Sequence, residues 1–240
     1  MRIVQEVSID VSLDQLLQLH GVDGSGRAVK RSVVENYRDL LQEGLKAARP
    51  VYGYRSVPVV GKSEDELLLE TGHQLASQVV ARNLAGSEVV YLICCTIGPV
   101  LESLVAGYGA SNQPAKAYVL DSVGSLITDQ LANAACSAVD ELARDSGLLS
   151  TVPLSPGDAN WPLAAQDVFY DLLDFTALGV SLSDTHIMSP LKSCTLAVGV
   201  GENVKRLHDG ATCDFCQFNG RCNLQKTRDT TSQREGSRND

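Results

Sequence analysis

"SPGDANWPLAAQDVFYDLL", residues 155–173, is the stretch of sequence that decides the fold. Its proline and glycine at 156 and 157 indicate a tight turn, and an isolated tryptophan, Trp161, follows four residues later. The apolar spacing from Leu163 onward predicts a helix. Loops of this kind carry binding residues more often than the regular elements around them. The residues alone therefore make 155–166 a candidate binding loop.

The segments around this loop predict a mixed α+β fold. "SEVVYLICC" is a continuous apolar run, which is typical of a strand buried on both faces, and "TIGPVLESLVAGYG" turns directly from it into a helix. Apolar spacing over residues 115–144 predicts a helix about 45 Å long. Gly124, in its middle, costs about 1 kcal/mol relative to alanine and so predicts close packing at that point.

Shorter patterns complete this description. Strands are expected at "RIVQEVSIDV", "VYGYRSVPVV", "ELLLE", "DTHIM" and "CTLAVGVG", and helices at "AVKRSVVENYRDLLQEGLKAA" and "GHQLASQVVARNL". Strands and helices alternate without a regular βαβ rhythm. We therefore expect a mixed α+β sheet rather than a doubly wound parallel one.

Composition excludes several classes of protein. The net charge of −9 argues against a nucleic-acid partner. No apolar run approaches the eighteen or more residues of a membrane span, and the opening "MRIVQEVSID" lacks the apolar region of a signal peptide. We expect a cytoplasmic protein without a membrane partner. Signatures of P-loop, zincin and α/β-hydrolase sites do not occur.

Cysteine spacing predicts a metal site near the end of the chain. Cys213, Cys216 and Cys222 follow a Cys-x2-Cys-x5-Cys pattern, in which a tight turn brings two thiolates to one metal and the third follows a short loop. Cys194 is the best candidate for a fourth ligand and His208 the second choice. The spacing leaves a structural zinc and a [4Fe–4S] cluster equally open, while a reducing cytosol argues against a disulfide framework.

The remaining cysteines predict core positions. Cys94 and Cys95 end the buried strand just before a helix, where a helix N-terminus could stabilise a thiolate. We interpret them instead as small core residues, and Cys136 likewise as a core residue on the apolar stripe of the long helix.

Several motifs together resemble a known family. "SPGDANWPLAAQDVFYDLL", followed by "LGVSLSDTHIMSPLKSCTLAVGVG", resembles the activation domain of vitamin B12-dependent methionine synthase in its free-standing form. "TIGPVLE" and "AYVLDSVGS" are similar to that family's strand-to-helix turn and long helix, so the resemblance covers roughly residues 1–202. It implies a C-shaped α+β domain with a twisted, mainly antiparallel sheet, flanking helices and one long helix.

The resemblance, the cysteine spacing and the polar composition of the last residues together imply a domain organisation, and the resemblance implies a function. Residues 1–205 would form the activation-domain-like unit, 206–223 a Cys-rich metal-binding appendage and 224–240 a disordered tail. The protein would be an accessory component of a corrinoid-dependent methyltransferase system, not a complete enzyme. It would dock on a corrinoid-binding partner and assist reductive reactivation of its cob(II)alamin.

The implied function affects which metal is expected at the cysteines. Iron–sulfur clusters reach potentials from about −700 to +450 mV, so in this context an electron-donating [4Fe–4S] cluster is favoured over zinc. Two alternatives stay open: a non-redox adaptor with a structural zinc site, and an S-adenosylmethionine-binding methyltransferase component.

The family's adenosylmethionine loop carries over only in part. The predicted ligand-binding residues here are Ser155, Pro156, Gly157, Asp158, Trp161 and Gln166. That loop reads Arg-Pro-Ala-x-Gly-Tyr in the family. Placing its glycine at Gly157 puts Pro153 at the arginine and Asp158 at the tyrosine. Because an acid repels the carboxylate of the ligand, this departure argues against adenosylmethionine binding, while the backbone turn is expected to persist.

Overall fold

A computed structural model of the chain describes residues 1–5, 7–22, 30–158 and 160–204. The predicted metal ligands Cys213, Cys216 and Cys222, the alternative ligand His208, the appendage 206–223 and the tail 224–240 lie outside the described residues.

The described chain forms a mainly antiparallel sheet with helices on both faces, which confirms the predicted α+β class. Its strands are β1 (Arg2–Val4), β2 (Val51–Lys62), β3 (Glu66–Leu69), β4 (Gln74–Ala76), β5 (Val89–Thr96), β6 (Leu149–Ser150), β7 (Ser181–Leu182), β8 (Met188–Ser189) and β9 (Ser193–Gly201). Its α-helices are α1 (Leu13–Leu19), α2 (Arg31–Ala47), α3 (Gln78–Asn83), α4 (Val100–Ala110), α5 (Pro114–Asp145) and α6 (Gln166–Leu172).

Strand β5 lies at the centre of the main sheet. The strand order is β4-β3-β2-β5-β9-β6, with β1 added to β2, and β5 pairs with both β2 and β9 along its whole length. Strands β7 and β8 form a separate hairpin. The run Val90 to Thr96 of β5 is buried almost throughout, as its continuous apolar sequence predicts.

Two hydrophobic layers cover the sheet. The 32-residue helix α5 covers one face together with α1, α2 and α4, and Pro114 at its first turn suits a helix start. The opposite face is covered by α3, α6 and the loop before α6, where the buried aromatic side chains are Trp161, Phe169 and Phe175. The candidate binding loop is therefore part of the second layer.

Glycines permit the closest helix contacts. A Cβ atom at Gly124 would lie 2.8 Å from Cδ2 of Leu101 in α4, which confirms the close packing predicted there. A Cβ atom at Gly44 of α2 would lie 2.5 Å from Cγ1 of Val123 in α5. Both distances are too short for a side chain, so α2 and α4 approach α5 at these glycines.

Some boundaries differ from the sequence-based expectation. The first strand ends at Val4, and the unpredicted helix α1 follows, started by a capping box between Ser12 and Gln15. The helix expected over "GHQLASQVVARNL" is divided, because β4 pairs with β3 and Ser77 then caps the shorter α3. Only Met188 of "DTHIM" lies in a strand. Within the described ranges, none of the helices combines the length and apolar character that crossing a bilayer requires.

Replacing Gly44 by alanine is expected to destabilise the protein by about 1–3 kcal/mol, because the new methyl group overlaps Val123. Gly107 of α4 is the matched control, since a Cβ atom there meets nothing within 4 Å. Gly107→Ala should stabilise the protein by about 0.5–1 kcal/mol through helix propensity. Urea unfolding of both variants checks the pair, and equal midpoints would contradict the packing.

Candidate functional site

The candidate loop is attached to the end of the sheet where β5 stops and β9 starts. Thr96, the last residue of β5, lies opposite Ser193, the first residue of β9, and their hydroxyls are 2.8 Å apart. Leu154 pairs with Ala197 of β9 through two backbone hydrogen bonds, just before the loop begins. The loop is thus fixed beside the first half of β9.

Backbone hydrogen bonds among Ser155, Gly157, Asp158 and Trp161 form a compact double turn. The Asp158 N–H donates to the carbonyl of Ser155 at 3.1 Å, and the Trp161 N–H donates to the carbonyl of Asp158 at 2.8 Å. The Gly157 N–H closes the turn by donating to the carbonyl of Trp161 at 2.8 Å. Gly157 has φ +94°, a conformation that favours glycine. The tight turn predicted from the sequence is therefore present.

Trp161 anchors the turn in the core. Its side chain is 2% exposed, and its ring centroid lies 5.9 Å from that of Phe169 in α6. Pro156 is also buried, whereas Gly157 and Asp158 are exposed. The predicted loop residues therefore divide into a buried anchor and an exposed tip. Desolvation by the surrounding loop atoms raises the pKa of the Asp158 carboxyl above its ordinary value.

Thr195 of β9 joins the two ends of the loop. Ser155, at the start, donates its hydroxyl to the Thr195 carbonyl at 2.7 Å. Gln166, at the end, accepts a hydrogen bond from the Thr195 hydroxyl at 2.8 Å. Thr195 is 0% exposed and Gln166 is 3% exposed, so this contact is dry. No sequence pattern singles out Thr195, and its place in "KSCTL" is the one signal that could have pointed to it.

Exposed apolar side chains lie beside the tip and at the end of the sheet where β5 stops and β9 starts. Leu163 lies beside Gly157, since a Cβ atom placed on Gly157 would be 3.4 Å from Cδ1 of Leu163. Leu191, just before β9, is 68% exposed, and Val100 in the first turn of α4 is exposed as well. The backbone N–H of Lys192, next to Leu191, donates to the Glu102 carboxylate of α4 at 2.8 Å. Clustered exposed apolar groups are typical of interaction surfaces.

The ammonium of Lys192 faces α5 rather than the tip. It lies 2.8 Å from the Asp121 carboxylate and donates to the Ser125 hydroxyl at 2.9 Å. Its positive charge is therefore already paired. The acidic Asp158 at the tip adds no positive charge, so the exposed part of the loop is not built to attract a carboxylate.

Two histidine–aspartate contacts fix α6, on which the loop ends. Nδ1 of His186 lies 2.9 Å from the Asp167 carboxylate, and Nε2 of His73 lies 3.5 Å from that of Asp171. The two aspartates are four residues apart and so lie on one side of the helix. The contact with Asp167 gives His186 a structural role beside α6.

The described cysteines divide between the two faces of the sheet. Cys94 lies in the core on the loop side, and burial raises the pKa of its thiol. Cys95 is fully buried on the α5 side of the sheet. Cys136 of α5 packs on that side too, and burial raises the pKa of its thiol to about 12. Raised pKa values disfavour thiolates at Cys94 and Cys136, which agrees with core roles for these two residues.

Cys194, the predicted fourth metal ligand, is half-buried in β9 directly opposite Cys95. Across the described ranges, histidine, cysteine and acidic side chains form no group of three or more suited to a metal ion. The other three predicted ligands lie outside those ranges, so the metal site stays a prediction.

Comparison with known proteins gives one informative result. Neither the family models nor the curated proteins contain a match to this sequence. Among solved structures, the fold is similar to that in a crystal structure of the MetH reactivation domain bound to AdoHcy. The TM-score is 0.50 and the identity 13%, and the match covers 98% of this chain and 85% of that chain. The likeness shows the fold and confirms the predicted fold family, while the free-standing form stays a prediction.

The Thr195 contact makes a testable contribution to stability. Thr195→Val removes the hydroxyl donor and leaves the buried Gln166 oxygen without its partner, which is expected to cost about 1–3 kcal/mol. Adding Gln166→Leu removes both polar partners, so the double variant should regain part of that loss. Denaturant unfolding of both variants checks this. A Thr195→Val midpoint equal to that of the unchanged protein would contradict it.

Proposed function

We propose that this protein is an accessory component of a corrinoid-dependent methyltransferase system. It docks on a corrinoid-binding protein and assists the return of cob(II)alamin to its active state. The observation that carries the proposal is the anchored Ser155–Trp161 turn, exposed at its tip, in a fold similar to the MetH reactivation domain. The chemical power in such a system belongs to the cofactor, and the protein contributes docking and orientation.

The proposed docking surface consists of the loop tip, Gly157 and Asp158, the adjacent Leu163, and the exposed apolar residues Val100 and Leu191 at the same end of the sheet. Three connections meet there: the loop before α6, the turn from β5 into α4, and the segment before β9. A rigid surface suits this role because little conformational entropy is lost when it binds. The buried Trp161 and the Thr195 contact support that rigidity.

S-adenosylmethionine binding is the second candidate function, favoured by the AdoHcy in the similar structure. Asp158 at the tip opposes it, because this carboxyl would face the ligand's carboxylate. Calorimetric titration with S-adenosylmethionine decides between the two. We expect no measurable heat of binding to the unchanged protein, and a micromolar dissociation constant would establish the second function. Asp158→Asn, which removes the repulsion, serves as the comparison variant.

The cysteines near the end of the chain are the proposed source of the electron. Cys213, Cys216 and Cys222 would hold a [4Fe–4S] cluster with Cys194 or His208 as the fourth ligand. Cys194 is seven residues from Gly201 at the end of β9, or roughly 24 Å along the strand. Cys213 is nine positions after Val204, a connection that spans at most about 32 Å. Cys194 is therefore within reach of the cluster only through a nearly extended connection.

Metal analysis tests this part of the proposal. After anaerobic purification we expect about four iron and four sulfide per chain, with visible absorbance that decreases on reduction. Cys216→Ser should lose the metal, whereas Cys136→Ser, which changes a thiol on α5, should keep it. One zinc per chain without colour would replace the electron-donor role with that of an adaptor carrying a structural metal. Absence of both metals would refute the site.

Docking is tested with two exposed apolar residues at opposite ends of the sheet. Leu191→Glu changes the proposed surface at a side chain that is 68% exposed. The control, Val60→Glu, changes a side chain that is 58% exposed. Val60 lies beyond the opposite end of the β2–β5 pairing. Binding to a corrinoid protein that carries cob(II)alamin is measured anaerobically. We expect Leu191→Glu to weaken binding at least about tenfold, the equivalent of 1.4 kcal/mol, because binding would bury the new carboxylate. We expect Val60→Glu to leave binding unchanged.

Equal effects of the two substitutions would place the docking surface elsewhere on the protein. If the unchanged protein retains no corrinoid protein in an anaerobic pull-down, the docking function itself is wrong. Unfolding midpoints of both variants provide the control for fold, since both residues are exposed and neither change is expected to lower stability by more than about 0.5 kcal/mol.

A further inference from the structure

Three thiols from three different elements meet between the sheet and the long helix. Cys95 of β5 lies directly opposite Cys194 of β9 in the antiparallel register, and both side chains belong to the layer on the α5 side of the sheet. Cys136 of α5 packs against the same cluster of side chains. Cys94, the neighbour of Cys95 in sequence, faces the opposite side of the sheet. Cys95 and Cys194 are therefore a matched pair of thiols, whereas Cys94 is separated from both Cys136 and Cys194 by the sheet.

The backbone ladder sets the distance between Cys95 and Cys194. The Ile97 N–H donates to the carbonyl of Lys192 at 3.2 Å, which makes that opposite pair a hydrogen-bonded one. Hydrogen-bonded and non-hydrogen-bonded pairs alternate along an antiparallel ladder, so Cys95 and Cys194, two residues further on, are also hydrogen-bonded. Their Cα atoms are then about 5.5 Å apart, within the range of roughly 4.4–6.8 Å that a disulfide spans.

The same geometry predicts a bond that is easily reduced. Cβ atoms of directly opposite residues are about 4.5–5.5 Å apart, with hydrogen-bonded pairs at the larger value. A relaxed disulfide needs roughly 3.5–4.5 Å. Linking the two sulfurs would therefore draw the strands together slightly, and strained disulfides have more oxidising potentials. Such a bond suits reversible oxidation better than permanent stabilisation.

We propose that Cys95 and Cys194 form a reversible disulfide by exchange with a low-molecular-weight disulfide such as glutathione disulfide. Cys194 reacts first because it is half-buried, whereas Cys95 is 0% exposed. The Cys194 thiolate attacks one sulfur of glutathione disulfide, forming a mixed disulfide and releasing one glutathione thiolate. The Cys95 sulfur then attacks the Cys194 sulfur and releases the second. The two protons of the protein thiols go to the released thiolates, so one protein disulfide and two glutathione molecules result.

Oxidation at this position affects the end of the sheet that carries the candidate loop. Cys194 is adjacent to Thr195, which holds both ends of the loop, and Cys95 is adjacent to Thr96 at the start of the turn into α4. A bond between Cys95 and Cys194 also removes Cys194 from any set of metal ligands. The proposal rests on the described geometry alone and stands whether or not the protein docks on a corrinoid partner.

Peptide mapping of the full-length protein tests the inference. The protein is treated with excess glutathione disulfide, blocked with N-ethylmaleimide and digested with trypsin without reduction. Tryptic cleavage places Cys94 and Cys95 in residues 83–116, Cys136 in 117–144 and Cys194 in 193–205. We expect a linked pair of the 83–116 and 193–205 peptides that disappears after dithiothreitol. Cys94→Ala should keep this pair, and Cys95→Ala should lower its yield at least tenfold.

The two variants are closely matched, since both remove a fully buried thiol from neighbouring positions of one strand. Equal yields in both variants would overturn the inference. It would also be overturned if the 193–205 peptide were found linked to 117–144, to a peptide containing Cys213, Cys216 or Cys222, or only to glutathione. Failure of docking or of metal binding would leave the linked pair unchanged, so the tests of the proposed function are separate from this one.

Discussion

The rest of the structure depends on the double pairing of β5. This strand exchanges backbone hydrogen bonds with β2 on one side and β9 on the other, so its polar groups are satisfied along its whole length. Its side chains are apolar on both faces, and each face therefore needs a covering layer. Helix α5 provides one layer, and α6 with its preceding loop provides much of the other. The loop is positioned by the need to bury the second face of β5.

The position of the loop separates residues that support the fold from residues available to a partner. Trp161, Gln166 and Thr195 are buried. Substitutions at these positions therefore lower the stability of the fold, and they affect binding to a partner only as a consequence of that loss. Gly157 and Asp158 are exposed, as are Leu163 and Leu191 nearby. The buried set determines the shape of the tip, while the exposed set determines what it contacts. Only substitutions in the exposed set give a direct measure of function.

Local sequence patterns predicted the elements whose burial or turn conformation can be inferred from their own residues. The apolar run of β5 and the periodic spacing of α5 were confirmed, as were the turn at Gly157 and the close packing at Gly124. Helix α1 and strand β4 were missed because both are short, and β4 is defined by pairing with β3. The roles of Thr195 and of the Cys95–Cys194 pair depend on strand register. Register is a long-range property that a single sequence does not display.

The position of Cys194 links the identity of the metal to the proposed function. Cys194 lies near the start of β9, at the same end of the sheet as the candidate loop. Val204, the last described residue, lies near Gly86 beyond the opposite end, because a Cβ atom on Gly86 would be 2.5 Å from the carbonyl oxygen of Asn203. A cluster that includes Cys194 would therefore stand at the end of the sheet that carries the candidate loop. A site completed by His208 would not need to lie at that end of the sheet, and it is compatible with a structural zinc. A Cys95–Cys194 disulfide would withdraw Cys194 from the ligand set, so it would interrupt an electron-donor role that uses Cys194 as the fourth ligand.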